Sequence, residues 1–306
     1  MNKSTIVTGA NIGIGKELAR QLAMIAETEE IYLACRNEKK AIEAKASLEE
    51  TTGRNIFKIL IMDVSDPVSV RKAVKSLDRP VDALIMNAGG MGGQNPSELT
   101  DDGVNMLFAS NVLGHVVLVD ELLKENKLNK VALFVSTEAV RGVKAMGMKR
   151  PELKTSSVEE FSSIADGSYF GTKMDPMQAY GHVKYMATLW MSSMARKHSD
   201  IRFISMSPGG TAGTSMADDM GPVMKFMFKQ VMMPYVMPMM GMAHSLETGA
   251  ARLVNGINDE SLRSGVFYAS KKSLTGPIAD QSTFFPDLNN TSFQDNADKA
   301  IHLFLN

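Results

Sequence analysis

The sequence of 306 residues predicts a single α/β domain, residues 1–306, built around a doubly wound parallel sheet of seven strands. Short β-branched apolar runs alternate with amphipathic stretches through the first two-thirds of the chain, as parallel strands joined by crossover helices require. No composition shift, linker or internal repeat divides the chain. The hydrophobic fraction of 44% with 22% charged residues excludes intrinsic disorder and indicates an ordinary globular protein.

Each predicted strand is a short run rich in β-branched or other apolar residues and ends at turn residues. The predicted strands are 5–8, 31–35, 56–62, 83–86, 131–135, 201–206 and 266–269. A helical pattern follows each of the first six, which is the order of a doubly wound sheet. The predicted helices lie near 14–26, 38–51, 68–77, 105–125, 178–197 and 247–257.

Two segments break this rhythm, and each follows a strand at the end where such sheets bind ligands. The first, 141–177, is rich in Ser, Gly, Lys and Asp and is long enough to be a functional loop. The second, 209–245, holds ten of the 24 methionines. Both segments are predicted to wall a substrate site. The methionines equally fit a core, or an apolar face on a membrane surface or partner subunit.

The charge and the cysteine content of the chain limit which partners it can bind and in which compartment it is expected. With 33 Lys and Arg against 34 Asp and Glu, the net charge of -1 argues against a nucleic-acid binder. The single cysteine, Cys35, excludes an intrachain disulfide and a multi-Cys zinc site, which favours a reducing compartment, the cytoplasm. The uncharged stretch 230–246 is shorter than the ~20 residues of a span, so we expect no transmembrane helix.

The turn after the first predicted strand is rich in glycine and opens a helix. Glycines there let the backbone approach a pyrophosphate, which the free N–H groups of the helix N-terminus can hold, as in Rossmann-type domains. A glycine-rich turn also serves purely steric needs, and its position between strand and helix favours the functional interpretation. The residues of this turn predicted to bind the cofactor are Gly9, Asn11, Ile12, Gly13, Ile14 and Gly15.

The end of the second predicted strand indicates which dinucleotide binds. Arg36 stands where an acidic residue would accept the ribose hydroxyls of NAD. A guanidinium can bind a 2′-phosphate bidentately, so Arg36 favours NADP. An exposed arginine at a strand end is also common without any ligand.

Polar or small residues follow the third and fourth predicted strands on the same side of the sheet. Asp63 and Val64 are predicted to contact the adenine. Asn87, Ala88 and Gly89 are predicted to lie beside the adenosine ribose. Taken singly, both motifs are ordinary strand-to-loop sequences.

Tyr180 and Lys184 form the most specific motif in the chain. Their i, i+4 spacing on a predicted helix places the phenol and the ammonium on one face. Tyrosine titrates near a pKa of about 10, and a nearby positive charge favours its ionised form. The pair is therefore predicted to act as a general acid/base, although a surface Tyr and Lys on an amphipathic helix show the same spacing.

These motifs, together with Asn111 and Pro208-Gly209, occur in one order that resembles the short-chain dehydrogenase/reductase family over almost the whole chain. The resemblance implies that Tyr180 donates a proton to a substrate carbonyl and that Lys184 also binds the nicotinamide ribose. It implies that Asn111 holds a water in the proton relay.

The family usually places paired serines after the fifth strand, where this chain has Ser136 and Thr137. The second residue of the pair is normally catalytic, so the resemblance makes Thr137 the residue that orients the substrate oxygen. Threonine keeps the hydroxyl but restricts χ1, and Ser136 remains the alternative.

The sequences around Asn111 and after Pro208 resemble the branch that contains retinol dehydrogenases and light-dependent protochlorophyllide reductases. This branch implies further cofactor contacts and a lid over substrate and nicotinamide formed by 209–245. The photoenzymes carry a cysteine where this chain has Gly210. His115 is interpreted as a packing or capping residue. The further cofactor contacts are Pro208, Gly209, Thr211 and Thr214.

The sequence thus predicts an NADP(H)-dependent oxidoreductase, with no bound metal, that transfers a hydride between nicotinamide and a carbonyl or alcohol of a bulky apolar substrate. Two alternatives stay open: a catalytically weak NADP-binding sensor or interaction protein, and a reductase of an activated C=C bond. Peripheral membrane contact or self-association through 209–245 is a further expectation.

Overall fold

A computed structural model describes residues 1–143, 147–172, 174–211 and 243–305. One sheet runs through them in the order β3-β2-β1-β4-β5-β6-β7-β8, with helices on both faces. The predicted fold class is confirmed. The predicted count of seven strands is wrong, because a short eighth strand pairs with the edge of β7.

Seven strands are parallel, and only β8 runs antiparallel to its neighbour among the described residues. The carboxyl ends of the parallel strands therefore lie along one edge of the sheet, called here the carboxyl edge. Doubly wound sheets bind their ligands at this edge. The three residues of β8 are too few to show a strand pattern in the sequence. The strands are β1 Ser4–Thr8, β2 Glu30–Cys35, β3 Phe57–Ile61, β4 Val81–Met86, β5 Leu128–Val135, β6 Arg202–Met206, β7 Phe267–Ser270 and β8 Ile278–Asp280.

The sequence predicts six of the eight long helices. It missed α5, although Ser157 caps it by accepting from the N–H of Glu160, a Ser-x-x-Glu pattern that marks a helix start. It also missed α8, which Asn290 caps. The helices are α1 Gly13–Ala23, α2 Glu38–Thr52, α3 Pro67–Lys75, α4 Met106–Lys124, α5 Val158–Asp166, α6 Pro176–Lys197, α7 Leu246–Asn258 and α8 Thr291–His302.

The sheet is buried on both faces, as a parallel sheet requires. Leu18, Leu48 and Leu253 of α1, α2 and α7 pack on one face. Val116 of α4 and Trp190 of α6 belong to the core on the other face. The core therefore lies on both sides of the sheet, directly beneath the carboxyl edge.

Helix α4 is the described helix that is long and apolar enough to cross a membrane by length and composition, and 72% of its apolar window is buried inside the fold. It therefore has the composition of a central core helix. A Cβ on Gly114 would overlap the carbonyl oxygen of Val64, so glycine lets α4 pack directly against the end of β3. One turn of α4, Ala109–Leu113, is π-helical.

Candidate active site

The glycine turn after β1 is tightly built. Gly9 and Gly13 have φ of +66° and +57°, in the left-handed region that favours glycine. A Cβ on Gly15 would overlap the carbonyl oxygen of Gly9 and lie 2.6 Å from Nδ2 of Asn87. Asn87 in turn donates to the carbonyl of Thr8 at 2.9 Å. The turn and the end of β4 therefore hold each other in place.

The helix that follows this turn presents free backbone N–H groups. Ile12 stands at its N-cap and offers no side-chain hydrogen bond, and no acidic residue occupies its first turn. Among the described helices, the other seven long ones are capped by a Ser, Asp or Asn side chain. An uncapped N-terminus beside a glycine turn fits the pyrophosphate of a dinucleotide.

Arg36 and Asp63 lie where the sequence placed them, after β2 and β3 on the carboxyl edge. Arg36 is exposed, and within the described chain its guanidinium makes no hydrogen bond or ion pair. The Oδ1 atom of Asp63 accepts from the N–H and hydroxyl of Ser65. Among the described residues, the second carboxylate oxygen of Asp63 has no donor and remains available as an acceptor.

Asn111 connects α4 with the loop after β4. Its side-chain amide donates to the carbonyl of Gly90 at 2.8 Å, and its Oδ1 accepts from the N–H of Gly90 at 3.1 Å. The residue is fully buried and lies in the π-helical turn. Because the side chain is committed to Gly90, the main-chain carbonyl is the atom of Asn111 that can serve a relay.

Lys184 is 2% exposed although it carries an ammonium group. Its Nζ donates to the carbonyl of Val135 at 3.1 Å, lies 4.4 Å from the ring centroid of Phe134 and lies 5.7 Å from the ring centroid of Tyr180. Gly89 lies close to the same nitrogen. The structure thus brings together Tyr180, Lys184 and the end of β5.

Burial governs the pKa values of this pair in the chain alone. It raises the pKa of the Tyr180 phenol to about 12 and lowers the pKa of the Lys184 ammonium to about 7. The sequence predicted that the ammonium would favour the ionised phenol, and here burial has the larger effect. The buried ammonium lacks an acidic partner within the described residues, which is typical of a functional rather than a structural charge.

The two hydroxyl residues after β5 point in different directions. Ser136 is 3% exposed and its hydroxyl bonds Thr188 inside the fold at 3.1 Å. Thr137 is only partly buried, and its Oγ1 accepts from the N–H of Ala139 at 3.3 Å. Of the two residues, Thr137 is the more exposed.

Pro208 and Gly209 follow β6 on the same edge. The carbonyl of Pro208 accepts from Nε2 of His244 at 2.8 Å, and Thr211 Oγ1 donates to the carbonyl of Gly209 at 3.2 Å. Thr211 forms an isolated bridge with His244. Thr214 and most of the methionine-rich segment, 212–242, lie outside the described residues.

The sequence analysis missed the hydrogen bonds that Thr8, Glu138 and His244 make at this edge. It also interpreted His115 only as a packing or capping residue. Glu138 is 4% exposed, accepts from the N–H of Ser270 at 3.0 Å and pairs with Arg141. It thereby ties the end of β5 to the end of β7. Its position directly after Ser136-Thr137 was the available signal.

Comparison with known proteins gives the same family as these motifs. A family model for short chain dehydrogenases matches residues 3–149. Human retinol dehydrogenase 11 is 31% identical over 212 residues, which cover 68% of this chain and 60% of that protein. The chloroplastic protochlorophyllide reductase of Chlamydomonas reinhardtii is 27% identical over 299 residues, which cover 91% of this chain and 72% of that protein.

The chain spans about three fifths of the length of the mammalian relatives it matches. Among solved structures, L-sorbose reductase from Gluconobacter frateurii, complexed with NADPH and L-sorbose, superposes with a TM-score of 0.62 at 19% identity. The match covers 89% of this chain and 96% of that one. At this identity the likeness shows the fold alone.

Proposed function

Because this chain belongs to the short-chain dehydrogenase/reductase family, in the branch of retinol dehydrogenases and protochlorophyllide reductases, we propose that it is an NADP(H)-dependent oxidoreductase. Its substrate is the carbonyl or alcohol group of a bulky apolar molecule. The observation that carries this proposal is that a dinucleotide-type turn and a Tyr-Lys pair share the carboxyl edge of the sheet. The uncapped N-terminus of α1 lies there together with the half-buried Tyr180 and the buried Lys184.

The charges and the shape of this edge determine where the cofactor binds. The glycine turn and the first N–H groups of α1 bind the pyrophosphate. Arg36 binds the 2′-phosphate, since its guanidinium is exposed and unpaired within the described chain. Asp63 accepts from the adenine, and Lys184 binds the nicotinamide ribose. The bound cofactor supplies hydride transfer, in the reducing direction when NADPH is the donor.

The side chains of this protein supply orientation and the proton. Thr137 donates its hydroxyl hydrogen to the substrate oxygen and orients it. Tyr180 donates a proton to that oxygen as the carbonyl becomes an alcohol. The Lys184 ammonium lowers the cost of the phenolate that remains. The main-chain carbonyl of Asn111 holds a water in the proton relay, and Pro208, Gly209 and Thr211 contact the cofactor. Ser136 serves packing through Thr188.

Segments 141–177 and 209–245, which follow β5 and β6 in the chain, wall the substrate site in this proposal. The names of the relatives, retinol and protochlorophyllide enzymes, support a bulky apolar substrate. Thioether side chains suit such a surface because they are flexible and polarizable. We place the protein in the cytoplasm, with 209–245 as the surface for any membrane contact or self-association.

The test is NADPH oxidation with a panel of apolar ketones, aldehydes and quinones. Turnover is expected with at least one class, and Tyr180→Phe should reduce it by about 100-fold or more while NADPH still binds. The matched control is Tyr268→Phe, which removes a hydroxyl that accepts from the N–H of Arg263, outside both segments predicted to wall the substrate site. If NADPH binds, no substrate turns over and Tyr180→Phe changes nothing, the protein is a sensor or interaction module instead.

A second activity, reduction of an activated C=C bond, is supported by the protochlorophyllide reductase match over 91% of the chain. In that reaction Tyr180 donates its proton to carbon. Incubation with NADPH and a bound tetrapyrrole, in darkness and under illumination, separates the two activities. Turnover under light alone would favour the second.

A further inference from the structure

His115 is a buried titratable residue that the proposed chemistry does not use. It lies on α4 directly after Gly114 and is 1% exposed. Both ring nitrogens have partners. Nε2 lies 3.1 Å from Oγ1 of Thr8, at the start of the glycine turn, and Nδ1 lies 3.2 Å from the main-chain oxygen of Asn111. One imidazole therefore touches both the cofactor turn and the relay residue.

The partners determine the direction of every hydrogen bond. The carbonyl oxygen of Asn111 can only accept, so Nδ1 of His115 carries the hydrogen. The ring is then neutral with Nε2 as acceptor, and the Thr8 hydroxyl donates to it. The Thr8 oxygen accepts in turn from the N–H of Ala88 at 2.8 Å. A single chain of bonds runs from Ala88 through Thr8 and His115 to Asn111.

The surroundings keep the ring in this one form. Burial, together with the nearby Lys184 charge, lowers the pKa of His115 to about 3. The ring meets Phe134 edge-on with centroids 6.1 Å apart, and the Lys184 ammonium lies against the same Phe134 ring. Protonation of His115 would place a second buried cation in this core.

We propose that His115 is a positioning residue that sets the Asn111 carbonyl and the Thr8 hydroxyl relative to each other. It thereby couples the turn that binds the cofactor to the proton path. The inference rests on the proposed function. Asn111 has its side chain committed to Gly90, and its carbonyl has two lone pairs. His115 occupies one and leaves the other for the relay, and Asn111 lies in the π-helical turn, where the regular i→i+4 pattern is interrupted.

Two substitutions of His115 each remove one of the two hydrogen bonds that its ring makes. The amide nitrogen of Asn occupies nearly the position of Nδ1, so His115→Asn keeps the bond to Asn111 and loses the bond to Thr8. The amide of Gln reaches the position of Nε2, so His115→Gln does the opposite. Both variants are buried and polar, and each serves as the control for the other.

Activity and affinity should split between these variants. His115→Gln is expected to lower kcat about 10- to 100-fold with the NADPH Kd nearly unchanged, because the relay carbonyl is misplaced. His115→Asn should keep kcat within about 3-fold and raise the NADPH Kd about 3- to 10-fold, because the turn loses one hydrogen bond. If kcat falls and the NADPH Kd rises in both variants, in proportion to the loss of Tm, His115 is merely structural and the proposal is overturned.

A spectroscopic measurement tests the same arrangement without any turnover. Long-range ¹H–¹⁵N spectra of the protein should show His115 as the neutral Nδ1–H tautomer from pH 5 to 8, the less common form of free histidine. An Nε2–H tautomer or a protonated ring would refute the proposal. If no carbonyl substrate is found, the proposed activity fails, and the tautomer and the NADPH affinities still decide the role of His115.

Discussion

Two buried charges at opposite edges of the sheet are treated differently by the fold. Glu30 begins β2 at the amino edge, where Arg79 donates to both its oxygens at 3.0 and 2.9 Å and Lys58 pairs with it. Lys184 lies at the carboxyl edge and donates to the carbonyl of Val135. Within the described chain no carboxylate approaches it. The protein neutralises the first charge, whereas the second has no carboxylate partner among the described residues.

The pKa values of Glu30 and Lys184 are both lowered. A lowered pKa favours the charged form of a carboxyl group and disfavours the charged form of an amine. Burial would raise the pKa of Glu30, but hydrogen bonds from Arg79 and Lys58 outweigh burial and lower the pKa to about 2, so the charged form is favoured. Burial lowers the pKa of Lys184 to about 7, so its charged form is disfavoured. A structural ion stabilises the fold, and a functional ion costs stability that binding recovers.

The largest expected effect comes from removing the unpaired charge. Lys184→Met should lower turnover about 100-fold or more and leave the unfolding free energy unchanged or higher, since a buried charge is replaced by an apolar chain of similar volume. Steady-state kinetics and chemical denaturation measure the two. The control Lys58→Met should leave turnover unchanged and lower stability. A Lys184→Met protein that turns over normally would contradict the comparison.

A second contrast sets two arginines against each other. Arg36 is unpaired at the carboxyl edge in the described chain, and Arg79 is paired with Glu30 at the amino edge. Arg36→Ala should raise the Kd for NADPH about 10-fold and leave that for NADH unchanged, because only NADPH carries the 2′-phosphate. Arg79→Ala should lower Tm without changing either Kd. Equal losses for both nucleotides would exclude Arg36 as the 2′-phosphate ligand.

Removing the paired carboxylate should affect stability alone. Glu30→Gln is expected to lower the unfolding free energy by about 1 kcal/mol, because its cations are half-exposed and regain water. Denaturant titration measures this loss, and NADPH affinity should not change. A change in affinity would mean that the two edges are coupled.

The smallest expected effects are changes of stability with pH, and those of Glu30 and Lys184 fall in separate pH ranges. Glu30 has a depressed pKa when folded, so its stabilisation is present above pH 4.5 and is lost as the pH falls towards 2. Lys184 also has a depressed pKa, so its cost is complete below pH 7 and disappears as the pH rises to 10.5. Stability of the wild type relative to Lys184→Met, measured without NADPH, should therefore rise between pH 7 and 10.5. A flat difference would place that ammonium in water.

The parts that sequence reasoning predicted well are local in the chain. The glycine turn and the i, i+4 pair of Tyr180 and Lys184 depend on residues within one or two turns of each other. Helix α5 was missed although its capping residues Ser157 and Glu160 are local too, because the surrounding segment is polar and was interpreted as a loop.

The accessibility of Thr137 over Ser136 could not be predicted, since adjacent strand residues point to opposite sides and only packing decides which side is filled. Ser136 is turned inward by Thr188, 52 residues away. The bond between Thr8 and His115 joins residues 107 positions apart. No periodicity in the sequence records such a contact.

Sequence alone therefore determined the order of strands and helices apart from β8, α5 and α8, together with the glycine turn and the spacing of Tyr180 and Lys184, because backbone preference and side-chain spacing act over a few residues. Only the tertiary structure decided which charge has a partner, which of Ser136 and Thr137 is more exposed, and which histidine joins the glycine turn to Asn111. Those properties depend on burial and on distances between remote segments, which exist only once the sheet has formed.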